Sequence, residues 1–292
     1  MRALSKKWQL VIMIGPAAIF YLSYLMLPVA LSVYYSFTNY SGLGSPGSAG
    51  VSNYRQLAHD PLFWSSLRNT GIILGIALVV LLPCAFLLAV LLSQQIRGAG
   101  AMRALIFAPA IVAPILVGLI WVFILDPKIG LINAVLGAVG LPQPEWIGGT
   151  TLTPYAVGFV FVWEQIGFML TIFYAGLRLL DREVLEASAL DSRNRWQELR
   201  HVVIPMLQES FGIVTLLIIT GVLRIFELVY ELTGGGPVHL SDVLVTYMYY
   251  LTFTLQQYGY GMALAVVICV LGVGGSILYL QLGRRRRREP VR

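Results

Sequence analysis

The sequence predicts an all-α protein that crosses a membrane six times and keeps both termini on the cytoplasmic side. Three observations predict it: too few charges for a water-soluble surface, six apolar runs of spanning length, and a lopsided distribution of lysine and arginine.

Of the 292 residues 58% are hydrophobic and 12% charged, and the mean hydropathy is +0.78. A soluble domain carries about 25% charged residues, so lipid is the solvent this composition suits. A hydrocarbon core of ~30 Å takes about 20 helical residues to cross. Six runs qualify: Leu10–Val33, Gly71–Leu92, Ala104–Leu125, Tyr155–Leu177, Ser210–Tyr230 and Gly261–Leu282. Pro16, Pro28, Pro83, Pro109 and Pro114 fall inside the first three. Neighbouring membrane helices can satisfy the backbone groups that prolines free, so kinks are predicted there, not ends. The first run follows Arg2, Lys6 and Lys7 in the manner of a signal peptide. It is too long for one and lacks a small-residue cleavage site, so it reads as a retained span.

With both termini inside, sixteen of the twenty lysines and arginines are cytoplasmic, three (Arg55, Arg68 and Lys128) are outside, and Arg224 lies within a span. That bias sets the orientation and accounts for the +6 formal charge. Arg284 to Arg288 then read as an anchor to anionic lipid headgroups, not as a nucleic-acid contact. The three histidines fall in three different loops, which offers no metal-ligand spacing. There is no GxxxxGK[ST] phosphate loop, so the chain is not its own ATPase.

The loops carry their own patterns. Aromatic residues in "NYRQLAHDPLFWSSLRNT" suit a short interfacial helix before Gly71, and "DPKIGLINAVLGAVGLPQPEW" suits another ending near Pro142. Residues 234–260 form an outer loop in which Gly234, Gly235, Gly236 and Pro237 exclude regular helix. The aromatic stretch Asp242–Thr254 that follows is too short to span and either lies at the interface or dips back.

Residues 178–207 form a polar cytoplasmic insert between two apolar runs. Trp196, Leu199, Val203 and Met206 share one helical face, with Arg193, Gln197 and Arg200 on another, and Pro205 marks a helix boundary. Val184, Leu185 and Ala189 make a shorter stripe that breaks near Asp191 and Ser192. Two fates are open. The insert lies on the inner leaflet as an amphipathic connector, or a partner protein takes the short helix into a groove.

"EASALD", followed by a tryptophan and "VVIP", resembles the cytoplasmic loop of binding-protein-dependent ABC importer permeases. That loop begins Glu-Ala-Ala, continues to a glycine and ends Ile-x-Leu-Pro. The resemblance extends over nearly the whole chain through "NYRQL", "DPLFWSSLRNT", "RALIFAPAIVAPILVGLIWVFILDPKIGLIN", "FELVYELTGGGP" and "LVTYMYYLTF". These are similar to the maltose and glycerol-phosphate class of carbohydrate permeases, and "TGGGP" to one of the two non-identical permeases such systems pair. The resemblance implies a type I ABC importer permease fold: one transmembrane domain over residues 1–292 in a bacterial-type inner membrane. It also implies a sugar or related polyol as cargo. The implied partners are a second, related permease, two ATPase subunits that bind ATP and magnesium, and an extracytoplasmic solute-binding protein. No cofactor is implied for this chain. Leu185, Glu186, Ala187, Ala189, Leu190, Asp191 and Ser192 become the helix that docks on an ATPase. Ser188 stands for the motif's second alanine and Ser192 for its glycine, which alters the flexibility of the bend without abolishing docking.

Ionisable groups inside membrane helices usually face a bundle interior or cavity. Glu164 sits mid-span, and Phe161, Glu164, Gln165 and Phe168 form one helical stripe. A polar centre flanked by aromatics suits a sugar. By resemblance this face borders the translocation path, although its residue types differ from the family's sugar contacts. In the fifth run Arg224 and Glu227 are spaced to pair across one turn, with Gly221 on the same face. They read as a structural ion pair, a gate element or a contact to an anionic solute. The rival function is an ion-gradient-driven secondary transporter. It has no need of the 178–207 insert and would often show half-repeats with broken helices.

Overall fold

In the computed structural model the described residues are 2–94, 96–149, 151–181, 184, 194–236 and 238–286. Among the described residues the regular secondary structure is helical, apart from one isolated bridge between Thr38 and Ser48. Four helices are long and apolar enough to cross a membrane, or six if each of two sharply bent pairs counts as one span. The chain divides into two compact units, where the sequence suggests one domain: Met1–Asp60 with Met248–Val270, and Pro61–Tyr247 with Leu271–Arg292.

The first unit begins with α1, made of Arg2–Tyr21, a wide π turn at Leu22–Met26 and Leu27–Ser36. None of its apolar window from Val11 is buried. The short α2, Ser52–Ala58, is tied to the end of α1 by Asn53, whose Nδ2 donates to the carbonyls of Ser36 (2.8 Å) and Thr38 (2.9 Å). Tyr260 closes the unit by donating its hydroxyl to the Asp60 carboxylate at 2.6 Å.

The second unit is built around one helix. In chain order its elements are α3 (Pro61–Ser93), α4 (Ala99–Ile111), α5 (Pro114–Leu125), α6 (Leu131–Ala138), α7 (Thr153–Arg178), α8 (Arg195–Met206), α9 (Gln208–Leu223) and α10 (Glu227–Thr233). Two further helices run on between the units: α11 at Leu244–Tyr249 with a π turn at Tyr250–Thr254, and α12 at Tyr258–Arg286. Helix α7 touches α3, α4, α5, α9 and α10, and 61% of its apolar window is buried. Val157, Val160, Leu170 and Phe173 are its largest fully buried residues. Phe173 packs edge-on against Phe86 of α3 and Phe211 of α9.

Glycine sets how closely α4 approaches this hub. A Cβ on Gly167 would strike the Ile106 carbonyl oxygen and stand 2.5 Å from the Cα of Phe107. Both are backbone atoms with no rotamer to escape into.

Three π turns share a cause. Leu22–Met26, Ala77–Leu81 and Leu199–Val203 each end two residues before a proline, at Pro28, Pro83 and Pro205. A proline in a helix cannot donate to the carbonyl four residues back, and its ring collides with that carbonyl. In each case the residue before it (Leu27, Leu82, Ile204) donates one step further back, to Leu22, Ala77 and Leu199. The widened turn moves the threatened carbonyl aside and the helix continues.

Several boundaries depart from the sequence reading. The second span starts at Pro61, ten residues before Gly71, because Ser66, Asn69 and Thr70 are buried against other protein and not solvated in a loop. The run Ala104–Leu125 is not one kinked helix. Val112 and Ala113 are extended (ψ 138° and 135°), and the chain turns by 98° there. Ala113 precedes Pro114, a position that disfavours helical backbone. The run Ser210–Tyr230 is also interrupted. Helix α9 ends at Leu223, Phe226 is off the helical path (φ −131°, ψ −66°), and α10 begins at Glu227. In the insert, α8 and α9 meet at 74° with the break at Leu207, two residues past Pro205.

Candidate translocation path

The interruption between α9 and α10 positions most of the polar side chains singled out from the sequence. Phe161 of α7 is buried with its ring beside Gly221 of α9, where an added Cβ would sit 3.7 Å from Cζ. One turn on, Glu164 is 3% exposed. Its immediate hydrogen-bonding neighbour is Gln165, and Glu227 lies close enough to act on it electrostatically. Phe161, Glu164, Gly221 and Glu227 therefore converge where α9 stops, against the middle of α7. Gln165 is half-buried beside them.

Two residues leave this group. Phe168 is 41% exposed and turned to the outside of the subunit. Arg224, the residue that ends α9, is exposed. Of the three readings open for Arg224 and Glu227, the structural ion pair does not form. The two residues are not on one helix, and among the described residues the single ion pair is His239 with Asp242. Without a helical turn between them, the i, i+3 spacing places nothing. Leu185, Glu186, Ala187, Ala189, Leu190, Asp191 and Ser192, which the sequence resemblance implies dock on an ATPase, lie outside the described residues. Downstream of them, Asn194 caps α8 by accepting the Gln197 N–H at 2.8 Å, and Trp196 on the predicted apolar face is exposed.

Glu164 is buried and Glu227 exposed, so one carboxyl from the core of α7 and one from the surface of α10 face the same place. The cluster thus presents hydrogen-bond acceptors beside an aromatic ring, which suits a neutral polyhydroxy solute better than an anion. Among the described residues no three His, Cys, Asp or Glu side chains group as metal ligands.

Two features escaped the sequence reading. Glu231, one turn beyond Glu227, packs its stem at Gly118 of α5, where a Cβ would stand 2.8 Å from that of Glu231. The Gly118 position in an otherwise bulky run was the available signal. Trp121 of α5 meets Phe159 and Trp163 of α7 edge-on at 5.5 and 5.4 Å; the i, i+4 aromatic spacing on α7 was its trace.

The loop after α10 is clamped to α3. Asn69 Nδ2 donates to the carbonyls of Leu240 (2.8 Å) and Asp242 (2.9 Å). Asp242 meets His239 at 2.9 Å. Burial pushes the Asp242 carboxyl above its ordinary range, opposed by hydrogen bonds from Thr246 and His239. Val238 and His239 both adopt positive φ, 51° and 60°, a conformation that is a genuine outlier for a β-branched residue.

Residues 83–288 match the family model described as binding-protein-dependent transport system inner membrane component. The chain belongs to that family. It is 29% identical over 280 residues to YurN of Bacillus subtilis, described as a probable ABC transporter permease, covering 94% of this chain and 95% of that one. It is likewise 29% identical over 285 residues to NgcF of Streptomyces coelicolor, a diacetylchitobiose uptake system permease, covering 92% and 80%. A crystal structure of a bacterial alginate ABC transporter, in complex with a periplasmic protein bound to an alginate pentasaccharide, contains a chain of the same fold. It superposes with a TM-score of 0.86 at 20% identity over 99% of each chain. The all-α, multi-spanning architecture is that of an ABC importer permease.

Proposed function

We propose that this permease forms half of a translocation path for a sugar, in a bacterial inner membrane, together with a second, related permease. The family match over residues 83–288 carries the reading. It is supported by a permease of diacetylchitobiose uptake among the relatives and by the acceptor-and-aromatic cluster at Phe161, Glu164, Gly221 and Glu227. Both termini lie in the cytoplasm, a placement supported by the lysine and arginine distribution. An extracytoplasmic binding protein delivers the solute.

Two ATPase subunits bind ATP and magnesium, and this chain supplies no catalytic group of its own. Their closure pushes on Leu185, Glu186, Ala187, Ala189 and Leu190, flanked by Asp191 and Ser192, and the spans rock between inward- and outward-facing arrangements. Purification of the tagged chain from its native membrane tests the assembly: an ATPase subunit and a second permease should come with it. Glu186→Lys should then leave insertion intact and uncouple hydrolysis from uptake. Recovery of the chain alone with undiminished, ion-gradient-dependent uptake would defeat the proposal.

A further inference from the structure

Arg103 of α4 and Arg178 of α7 converge on one aromatic ring. Their guanidinium carbons stand 4.1 and 5.6 Å from the centroid of Tyr174. Each contact is a cation–π interaction of the kind arginine favours. The two positive charges nevertheless share one ring with no negative charge between them among the described residues, an arrangement that an anion joining them would favour. Among the described residues neither has a carboxylate within ion-pairing distance. Arg103 gives its Nε–H to the Ala99 carbonyl at 3.2 Å, which leaves the two terminal nitrogens of its fork.

The surroundings say which anion fits. Arg178 lies in the last turn of α7, and Arg103 is one turn into α4. On either side of Arg103 the surface of α4 is apolar and bare: Leu105 is 76% exposed and Met102 is 41% exposed. Tyr174 is half-buried, as a ring at a membrane–water boundary would be. A guanidinium pair at the edge of an exposed hydrocarbon surface, between two membrane helices, is placed for a phosphodiester whose acyl chains lie along that surface. Basic pockets between spans on the cytoplasmic side hold anionic headgroups in this way, and arginine matches phosphate oxygens two at a time.

We propose that Arg103, Tyr174 and Arg178 form a binding site for the headgroup phosphate of an anionic phospholipid of the inner leaflet. The site straddles α4 and α7 below the Gly167 contact, so a bound headgroup would hold the feet of these two helices together. Helix α7 runs from there into the 178–207 insert, which couples occupancy of the site to the segment assigned above to ATPase docking. That last consequence rests on the proposed function; the lipid site does not.

The test uses the full-length chain in detergent micelles. Phosphatidylglycerol, phosphatidylcholine or inorganic phosphate is titrated while the unfolding midpoint is followed. Phosphatidylglycerol should raise the midpoint, and phosphatidylcholine and phosphate should not. In Arg103→Gln/Arg178→Gln the apparent affinity for phosphatidylglycerol should fall about thirtyfold, the loss expected for two interfacial cations, while Lys128→Gln leaves it unchanged. An equal response from inorganic phosphate would show a free-anion site and overturn the lipid assignment. So would an undiminished response in the double variant. Should the double variant not fold, native mass spectrometry of the wild-type chain decides: preferential retention of phosphatidylglycerol over phosphatidylcholine supports the site, and equal retention refutes it.

Discussion

Replacing Gly167 with alanine adds one methyl group at the point where α7 meets the backbone of α4. That carbon would stand 2.5 Å from the Cα of Phe107 and 2.8 Å from the carbonyl carbon of Ile106. Carbon atoms pack at about 3.5–4.0 Å, so α4 must withdraw by roughly 1 Å or α7 must rotate. Overpacking of this kind costs about 1–3 kcal/mol, and a backbone neighbour puts the effect at the upper end. Gly75 of α3 is the control, since a Cβ there meets nothing within 4 Å. Alanine at 75 should be neutral or stabilise by about 0.5–1 kcal/mol through reduced backbone entropy. Thermal unfolding of the purified chain in one detergent compares the two. Gly167→Ala should lower the midpoint by several degrees and Gly75→Ala should not. Equal midpoints would mean that the close approach of α4 to α7 is wrong.

Three further outcomes follow from the same structure. Asn69→Ala strips a buried carbonyl, that of Asp242, and a half-buried one, that of Leu240, of their donor; at about 1–3 kcal/mol for an unsatisfied buried group, hydrogen exchange across 238–246 should accelerate while the rest of the second unit keeps its protection. The raised Asp242 carboxyl means that the folded state holds its proton to higher pH than the unfolded chain does. Its contribution to stability is therefore most favourable below its ordinary value near 3.8 and declines as pH rises through the folded value; amide exchange in this loop should quicken over that window in the wild type, and an Asp242→Asn variant should show no such dependence. Glu164→Ala should lower solute uptake while assembly and membrane insertion stay intact, and unchanged uptake kinetics would remove Glu164 from the path.

Much of this architecture was legible because membrane spans are read by length and composition, and those properties survive without tertiary information. What could not be read was where polar residues stop being loop. Ser66, Asn69 and Thr70 look like an aqueous segment, yet they lie inside α3, because Asn69 bonds a loop some 170 positions away. The break at Val112–Ala113 was foreshadowed by two prolines. The break at Arg224–Phe226 had no such sign: it lies in apolar sequence without glycine or proline. Spacing along a presumed helix consequently offered an ion pair, one of three open readings, that the broken backbone does not bring about. The stripe on α7 fared differently at its two ends, since Phe161 and Glu164 turn inward and Phe168 outward. Helical periodicity orders a face but cannot tell how far round it the neighbours reach.

The turns preceding Pro28, Pro83 and Pro205 each accommodate a supernumerary residue within an otherwise ordinary coil. Such an insertion advances everything downstream by about 100° about the helix axis, one residue's share of a 3.6-residue turn. In α3 this means that Ala85, Phe86 and Ala89 reach α7 only because the coil was re-phased at Ala77–Leu81. A cousin protein with no proline at that place and an uninterrupted coil would have to drop one letter from its text to keep the same side chains inward. Ungapped comparison would then pair its lipid-facing residues with this chain's core.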